Sequence, residues 1–551
     1  MIIRMNGKEM RSDGPVTVLQ ALSVLAPEMK PRALGCFCGG RSLELNHVLQ
    51  GDCDLFPITF QNEEGRRIYE RSLRFVMLMA MKKVFPDSQV RIEHSIGYGV
   101  YLRLMDRSLT EEDVARVENE MRAIVKADLP FERQRWTREK AIDYFAAQGQ
   151  QDKTRLLAYR PYDFFNVYLC GGMAEYFYGA MLPSTGYVPV FAMRLKEPGA
   201  VMQMPSPKDP DHPAPYVDRP KHLSVFAQSN RWCAILGCTN AADLDDLIVR
   251  NKLREFIRVN EALHDMSIGE IAAGIARRQA KAVFIAGPSS SGKTTFANRL
   301  CIHLRVLGLR PVLVSLDDFY RDRDALPLEA DGKPDLEALE ALDVPYLKDC
   351  LRTLLRGGEC MMPRFDFSVS KRSPDMYPLR LEADQPIIFE GIHGLNPALH
   401  QDFDQGLIAN VYLSELTCLN LDNHNRIRTT DVRLLRRIVR DRLFRNTPPD
   451  ETLSMWNSVR RGEEKWIFPY QEQADFLFNS ALHYELPVLR RYAYDLLEKI
   501  DEENPNYLAS RRLMKTLHYI LPAPEDTLRE IPPLSILREF IGGCTFYDKC
   551  P

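Results

Sequence analysis

Nowhere among the twelve cysteines of this 551-residue chain is there a C-x-x-C pair. The nearest approaches are Cys36-x-Cys38 and Cys233-x4-Cys238, and neither has a second Cys/His pair beside it. This spacing argues against a zinc site, so buried reduced thiols in a cytoplasmic protein are expected. No apolar run approaches the ~18 residues of a membrane span. Met1-Ile2-Ile3-Arg4 brings in a charge too early for a secretory leader, so no membrane partner is expected. An excess of one charge is lacking too: 72 Lys and Arg against 75 Asp and Glu leave a net charge of -3. Such a balance creates no field that would recruit nucleic acid. There is no internal repeat and no low-complexity tract. Hydrophobic content of 45% and charged content of 27% are ordinary for soluble globular protein. The length exceeds what one core supports, so several domains are expected.

The chain divides by pattern. Residues 1–62 read as a small β-rich unit, with the turn Asn6-Gly7 after a first strand and a short helix from Thr17. Residues 63–225 form a second unit. It opens on a helix over 66–86, with Leu73, Val76, Met77, Ala80, Met81 and Val84 on its apolar face. A second helix spans 111–125, with Thr110 as N-cap and Asp113 three residues on. Prolines crowd residues 203–220, which reads as a long loop or domain edge. Residues 226–279 read as a helical linker, and 280–485 alternate strand and helix, the pattern of a parallel sheet covered on both faces. Residues 486–551 form a C-terminal extension. It is helical from Val488 to Ile500 and closes on Gly542-Gly543-Cys544-Thr545-Phe546-Tyr547, a stretch with no functional assignment.

The most informative stretch is Gly287-Pro288-Ser289-Ser290-Ser291-Gly292-Lys293-Thr294. It fits G-x-x-x-x-G-K-[ST] between an apolar strand-like run, 282–286, and a helical run with Phe296, Leu300, Leu304 and Leu307 in phase. Glycines let the backbone wrap a phosphate chain, and the amides there, through Thr295, point at negative charge. Lys293 would reach the β- and γ-phosphates of ATP and Thr294 would ligate Mg²⁺.

Two strands downstream end in carboxylates. The run 311–316 leads into Asp317-Asp318-Phe319-Tyr320, and 386–389 leads into Glu390-Gly391. A carboxylate at the C-terminal end of a parallel strand faces the ligand crevice. Asp317 suits a base that orients an attacking hydroxyl, with Asp318 the better candidate for a turn cap. Glu390 suits a carboxylate that holds Mg²⁺ directly or through water. Arg433, Arg436, Arg437 and Arg440 share one helix face with no acid between Arg433 and Arg440, which suits a lid closing on the transferred phosphate.

These motifs, in this order, resemble the uridine kinase and phosphoribulokinase family of P-loop kinases. The resemblance covers residues 281–480. It also takes in Pro363-Arg364-Phe365-Asp366-Phe367 and Asp431-Val432-Arg433-Leu434-Leu435-Arg436-Arg437. It implies transfer of the ATP γ-phosphate to the 5′-hydroxyl of a ribose-containing substrate. Asp317 takes the position of the family's catalytic Asp, and Lys293, Arg433 and Arg436 those of its other catalytic groups. Tyr320, Glu337, Phe365, Asp366 and Arg433 fall at acceptor-binding positions. Two departures lie on the acceptor side. Ser370 stands where the family has a base-reading His, and Asp335-Leu336-Glu337 replaces Asp-His-Pro.

The N-terminal half resembles threonyl-tRNA synthetases: residues 1–62 their TGS β-grasp module, and residues 63–225 their editing domain. Lys82-Lys83-Val84-Phe85-Pro86-Asp87 and Leu182-Pro183-Ser184-Thr185-Gly186 carry the second match. The editing H-x-x-x-H and C-x-x-x-H pairs fall on Arg71, Phe75, Cys170 and Ala174, so three of four polar groups are gone. His94 in His94-Ser95-Ile96-Gly97-Tyr98-Gly99 reads as packing beside a tight turn.

The expected fold is multidomain α/β and α+β: a β-grasp unit, an α+β synthetase-like unit and a C-terminal P-loop kinase domain. The expected activity is an ATP- and Mg²⁺-dependent nucleoside kinase. A same-fold kinase for another small alcohol and a non-catalytic ATP-binding regulator are the alternatives. Base preference and homo-oligomer formation stay open.

Overall fold

A computed structural model describes residues 1–551 apart from 323–325, 329–331, 333–334, 336, 367–368, 370 and 547–551. Ser370 and Leu336 therefore lie outside the described residues. No helix among the described residues is long and apolar enough to cross a membrane.

The C-terminal half is built on five parallel strands: β1 (Ala282–Ala286), β2 (Val312–Ser315), β3 (Ile387–Glu390), β4 (Ile408–Ser414) and β5 (Phe476–Asn479). Their spatial order is β2-β3-β1-β4-β5, so the strand that precedes the phosphate loop lies at the centre. Strand alternation assigns its side chains to two cores. Val283 and Ile285 join a core with Phe296, Leu300 and Leu304 of α3 (Lys293–Val306). Ala282 and Phe284 face the other layer, with Leu347, Leu351 and Leu354 of the helix Val344–Leu355. Strands buried on both faces read as continuous apolar runs, which is why 282–286 is legible in the sequence.

The N-terminal unit pairs Ile2–Met5 with Lys8–Arg11 through the Asn6-Gly7 turn, where both residues take positive φ. Next comes α1 (Glu63–Val84), then the hairpin Val90–Ile96 and Gly99–Leu104, then a helix over Glu111–Ala127. Thr110 and Asp113 close a reciprocal capping box on that last helix. His94 is buried and stacks 4.0 Å from Phe226, with the turn at Gly97 beside it. The proline-rich 203–220 is not one loop: Pro205–Ser206 and Asp209–Pro213 form a small hairpin, and Pro220 opens a helix to Ile235. The 488–500 helix begins earlier, at Glu485, because Pro487 sits in the first turn, where its missing N–H costs nothing.

One apolar core crosses the two halves. Trp136, Phe145, Leu156 and Phe165 join the same cluster as Val283 and Ile285. That cluster also includes α2 (Leu253–Arg277). A polar seam adds to it. The hairpin Asn420–Asp422/Asn425–Arg426 receives a bond from the Ile92 amide on the Asn423 carbonyl at 2.8 Å. Asn420 Nδ2 returns one to the Ile92 carbonyl at 2.7 Å. Glu70 of α1 accepts from Arg428 at 2.5 Å and pairs with Arg426 at 3.5 Å. Lys153, Glu175 and His424 form a buried cluster. Against the upward push of burial, Lys153 and His424 hold Glu175 down at about 2.

Candidate active site

The phosphate loop turns sharply between β1 and α3. Ser290 and Gly292 take positive φ, +60° and +87°. A Cβ on Gly287 would fall on the Leu413 carbonyl of β4, so only glycine fits there. The Ser290 and Ser291 hydroxyl oxygens are buried and make no hydrogen bond within the chain. Buried polar groups ordinarily have partners, and phosphate oxygens would supply them here. Lys293 Nζ donates to the Pro288 carbonyl at 3.2 Å.

Three side chains converge where β1, β2 and β3 end. Thr294 Oγ1 and Ser315 Oγ each donate to Glu390 Oε1, both at 3.4 Å. Burial, with the neighbouring Asp317 carboxylate, pushes Glu390 up to about 7, against the pull of Lys293. A carboxylate held this way gains from a cation, which fits Mg²⁺ on Thr294 and Glu390. Among the described residues no three His, Cys, Asp or Glu side chains gather closely enough to hold an ion alone. Phosphate oxygens and water would complete the shell, the usual Mg²⁺ arrangement.

The two aspartates after β2 take different positions. Asp318 Oδ1 accepts from the Phe365 amide at 3.2 Å, which ties the strand pair Phe365–Asp366/Lys371–Arg372 to the site. Asp317 bends back towards Lys293. Burial raises its pKa, Lys293 opposes that rise, and Asp318 adds to it. Across from it stand Tyr320, whose ring lies 5.8 Å from Phe365, and Glu337. Burial, with the Glu463 charge, pushes Glu337 up to about 7. Asp317, Tyr320, Glu337 and Phe365 thus form one wall beside the loop, while Asp366 is exposed in that strand pair.

Three arginines of α4 (Thr429–Phe444), Arg433, Arg436 and Arg440, are buried and not displayed to solvent. Arg433 and Arg436 are 1% and 0% exposed. Arg433 donates to Glu463 of α5 (Pro449–Trp466) at 2.5 and 2.8 Å, and to the Ser289 carbonyl at 3.0 Å. Arg436 donates to Glu485 at 2.6 Å and to the Ser480 carbonyl at 2.8 Å. Arg437 reaches Ser289 Oγ at 3.0 Å. These side chains grip the loop from its carbonyl side. Glu463 and Glu485, from outside α4, neutralise Arg433 and Arg436, and Asp441, one turn on in α4 itself, pairs with Arg437 at 3.2 Å, so a face without acids between Arg433 and Arg440 did not mean free guanidiniums.

Five further residues touch the site without having been singled out in the sequence. Ser315 lies two residues before Asp317 and could have been read as part of that strand end. Glu463 accepts from the Ser289 amide at 3.1 Å, and Arg460 supports it at 2.8 Å. Glu539 accepts from Thr295 Oγ1 at 2.7 Å. Arg445 places a charge on Asp317. The last four carry no local signal.

Residues 282–485 match the Phosphoribulokinase / Uridine kinase family. The kinase-family segment coincides with the five-stranded sheet and its helices, so the C-terminal half has the P-loop kinase fold. Over its N-terminal region the chain is similar to threonine–tRNA ligases. It is 33% identical to that of Symbiobacterium thermophilum over 180 residues, 32% of this chain and 28% of the ligase. It is 31% identical to that of Methylobacillus flagellatus over 202 residues, 36% of this chain and 32% of the ligase. The chain thus spans less than a third of the length of these ligases. Among solved structures, a "Possible Uridine Kinase" from Bacillus stearothermophilus is 20% identical, with a TM-score of 0.28 over 39% of this chain and 97% of that one. D-glycerate 3-kinase from Cryptococcus neoformans is 17% identical, with a TM-score of 0.21 over 48% of this chain and 87% of that one.

At the synthetase-like positions the side chains pack and pair within the fold. Arg71 bonds the Ala180 carbonyl and pairs with Glu64 at 2.9 Å. Phe75 stacks on Phe131 at 5.5 Å. Burial pushes the Cys170 thiol up to about 12, and Ala174 is buried in the other core, paired with Leu169 across the strands.

Proposed function

We propose that this protein is an ATP-dependent nucleoside kinase, transferring the γ-phosphate to the 5′-hydroxyl of a ribonucleoside. The observation that carries the reading is the juxtaposition of Lys293, at the start of α3, with Asp317 and Glu390, at the ends of adjacent strands, beside Tyr320, Glu337 and Phe365. The loop amides and Lys293 hold the phosphate chain of ATP. Thr294 and Glu390 would hold Mg²⁺, which would neutralise charge on the β- and γ-oxygens. Asp317 accepts the proton of the acceptor hydroxyl and keeps that oxygen in line, while Glu337 and Tyr320 hold the ribose. Arg433, Arg436 and Arg437 act by fixing the loop. The positioning of reactants in such a site supplies most of the catalysis in phosphoryl transfer, which needs little covalent chemistry from the protein.

A screen of ribonucleosides and other small alcohols against ATP tests this. Phosphorylation of one or more ribonucleosides is expected, and chelation of Mg²⁺ should abolish it. Turnover of only a non-nucleoside alcohol would move the acceptor to another class. ATP binding with no transfer to any acceptor would make the protein a nucleotide-binding regulator.

A further inference from the structure

The C-terminal stretch, without an assigned role in the sequence, packs onto the phosphate loop. Ile536, Leu537 and Phe540 are fully buried. The Arg436 guanidinium covers the Phe540 ring at 5.1 Å. A Cβ on Gly292 would strike the Ile536 side chain. Ser535 Oγ donates to Glu261 of α2 at 2.6 Å, and Tyr484 donates to the same carboxylate at 2.5 Å. These contacts hold the short helix Arg538–Ile541 against the start of α3.

Its carboxylate then lands on the anion-binding donors of the loop. Glu539 Oε2 accepts from Thr295 Oγ1 at 2.7 Å and from the Thr295 amide at 3.3 Å. Thr295 is wholly buried and Glu539 is 6% exposed. The Thr295 amide belongs to the first turn of a 14-residue helix, where unpaired N–H groups and the helix dipole favour negative charge. In a loop of this sequence those amides serve the α- and β-phosphates of a nucleotide. A carboxylate and a phosphate oxygen are both acceptors and both anionic, so they cannot share these donors. The buried apolar anchor keeps the backbone in place, while the Glu539 side chain can change rotamer by itself.

We propose that Glu539 is a specificity-determining residue for nucleotide binding, its carboxylate competing with the α- and β-phosphates for the Thr295 donors. Nucleotide enters only as the side chain swings aside, so the resting protein binds phosphates more weakly than the loop alone would. The inference rests on the reading of the loop as a nucleotide site.

The test is calorimetric titration of ADP and of adenosine into full-length wild type, Glu539→Gln and Glu539→Ala. Removing the like charge should tighten ADP by ~10-fold or more in both variants, while adenosine, which has no phosphate, changes less than about twofold. ADP bound equally or more weakly by the variants overturns the proposal and leaves the nucleotide reading standing. Equal tightening of ADP and adenosine also overturns it, since the residue would then shape the cavity without acting on phosphate. No ADP binding by any of the three proteins overturns the nucleotide reading and the competition together.

Discussion

Arg433 joins Glu463 at 2.5 Å by one edge of its guanidinium and the Ser289 carbonyl at 3.0 Å by the same Nη1 atom. One side chain therefore links α4, α5 and the phosphate loop, and its charge is neutralised inside the protein.

This makes Arg433→Ala a stability variant as well as an activity variant. It leaves the buried Glu463 carboxylate with the Ser289 amide and Arg460 but without its bidentate guanidinium partner. Breaking a buried pair from one side costs about 3–5 kcal/mol, whereas an arginine on an open face would cost less than about 0.5 kcal/mol. Chemical denaturation of the full chain distinguishes the two. A midpoint close to wild type would place the guanidinium outside the brace.

Asp317→Asn keeps the shape of the side chain and removes the base. Turnover should fall by at least ~10²-fold, the scale of general-base loss. ADP binding should stay near wild type, since among the described residues no hydrogen bond joins the Asp317 carboxylate to a loop amide. Turnover near wild type would assign proton acceptance to another group.

Asp245 gives a pH prediction away from the site. Its carboxylate is fully buried, with Oδ1 accepting from the Leu521 amide at 2.7 Å and Oδ2 without a partner. Burial pushes its pKa up to about 7, the Leu521 amide and Arg490 oppose this, and Asp246 adds to it. The folded protein thus holds a proton that the unfolded chain releases near ~3.9. Stability from this group is present below that value and is lost as pH rises through about 7. Asp245→Asn keeps the acceptor for Leu521 and removes the ionisation. It should exceed wild type in stability by on the order of 2 kcal/mol near pH 8, and the gap should close near pH 4. Thermal melts at a series of pH values read this directly, and a gap independent of pH would refute it.

Glu70 gives a test of the seam between the halves. Burial opposes its ionisation, but Arg428, Arg426 and Arg74 together hold its carboxyl well below the usual range. Glu70→Gln leaves the buried Arg74, the nearly buried Arg426 and the partly exposed Arg428 without their shared carboxylate and should cost about 3–5 kcal/mol. Because the apolar core is continuous from Phe145 to Val283, the loss should appear as one cooperative transition shifted as a whole. Calorimetry that resolves two transitions, with only one moving, would show that the halves fold independently.

The sheet and the primary site were legible where the chemistry is contiguous. The loop, the strand before it and the helix after it lie within 282–306, and each strand-terminal carboxylate follows its own apolar run. The proline cluster at 203–220 misled because proline also edges small hairpins and opens helices. The arginine face misled because periodicity places residues on one side of a helix without naming what covers that side.

By itself the sequence determined the phosphate-loop pattern and the carboxylates at the ends of β2 and β3. Each is a matter of residue identity at short, fixed spacing. Only the tertiary structure decided what meets the loop. Glu463 lies 30 residues from Arg433, and Glu539 lies 244 residues from Thr295. Such pairings are set by how helices pack around a shared core, so two carboxylates that look like surface charge in the sequence end up buried against a phosphate-binding loop.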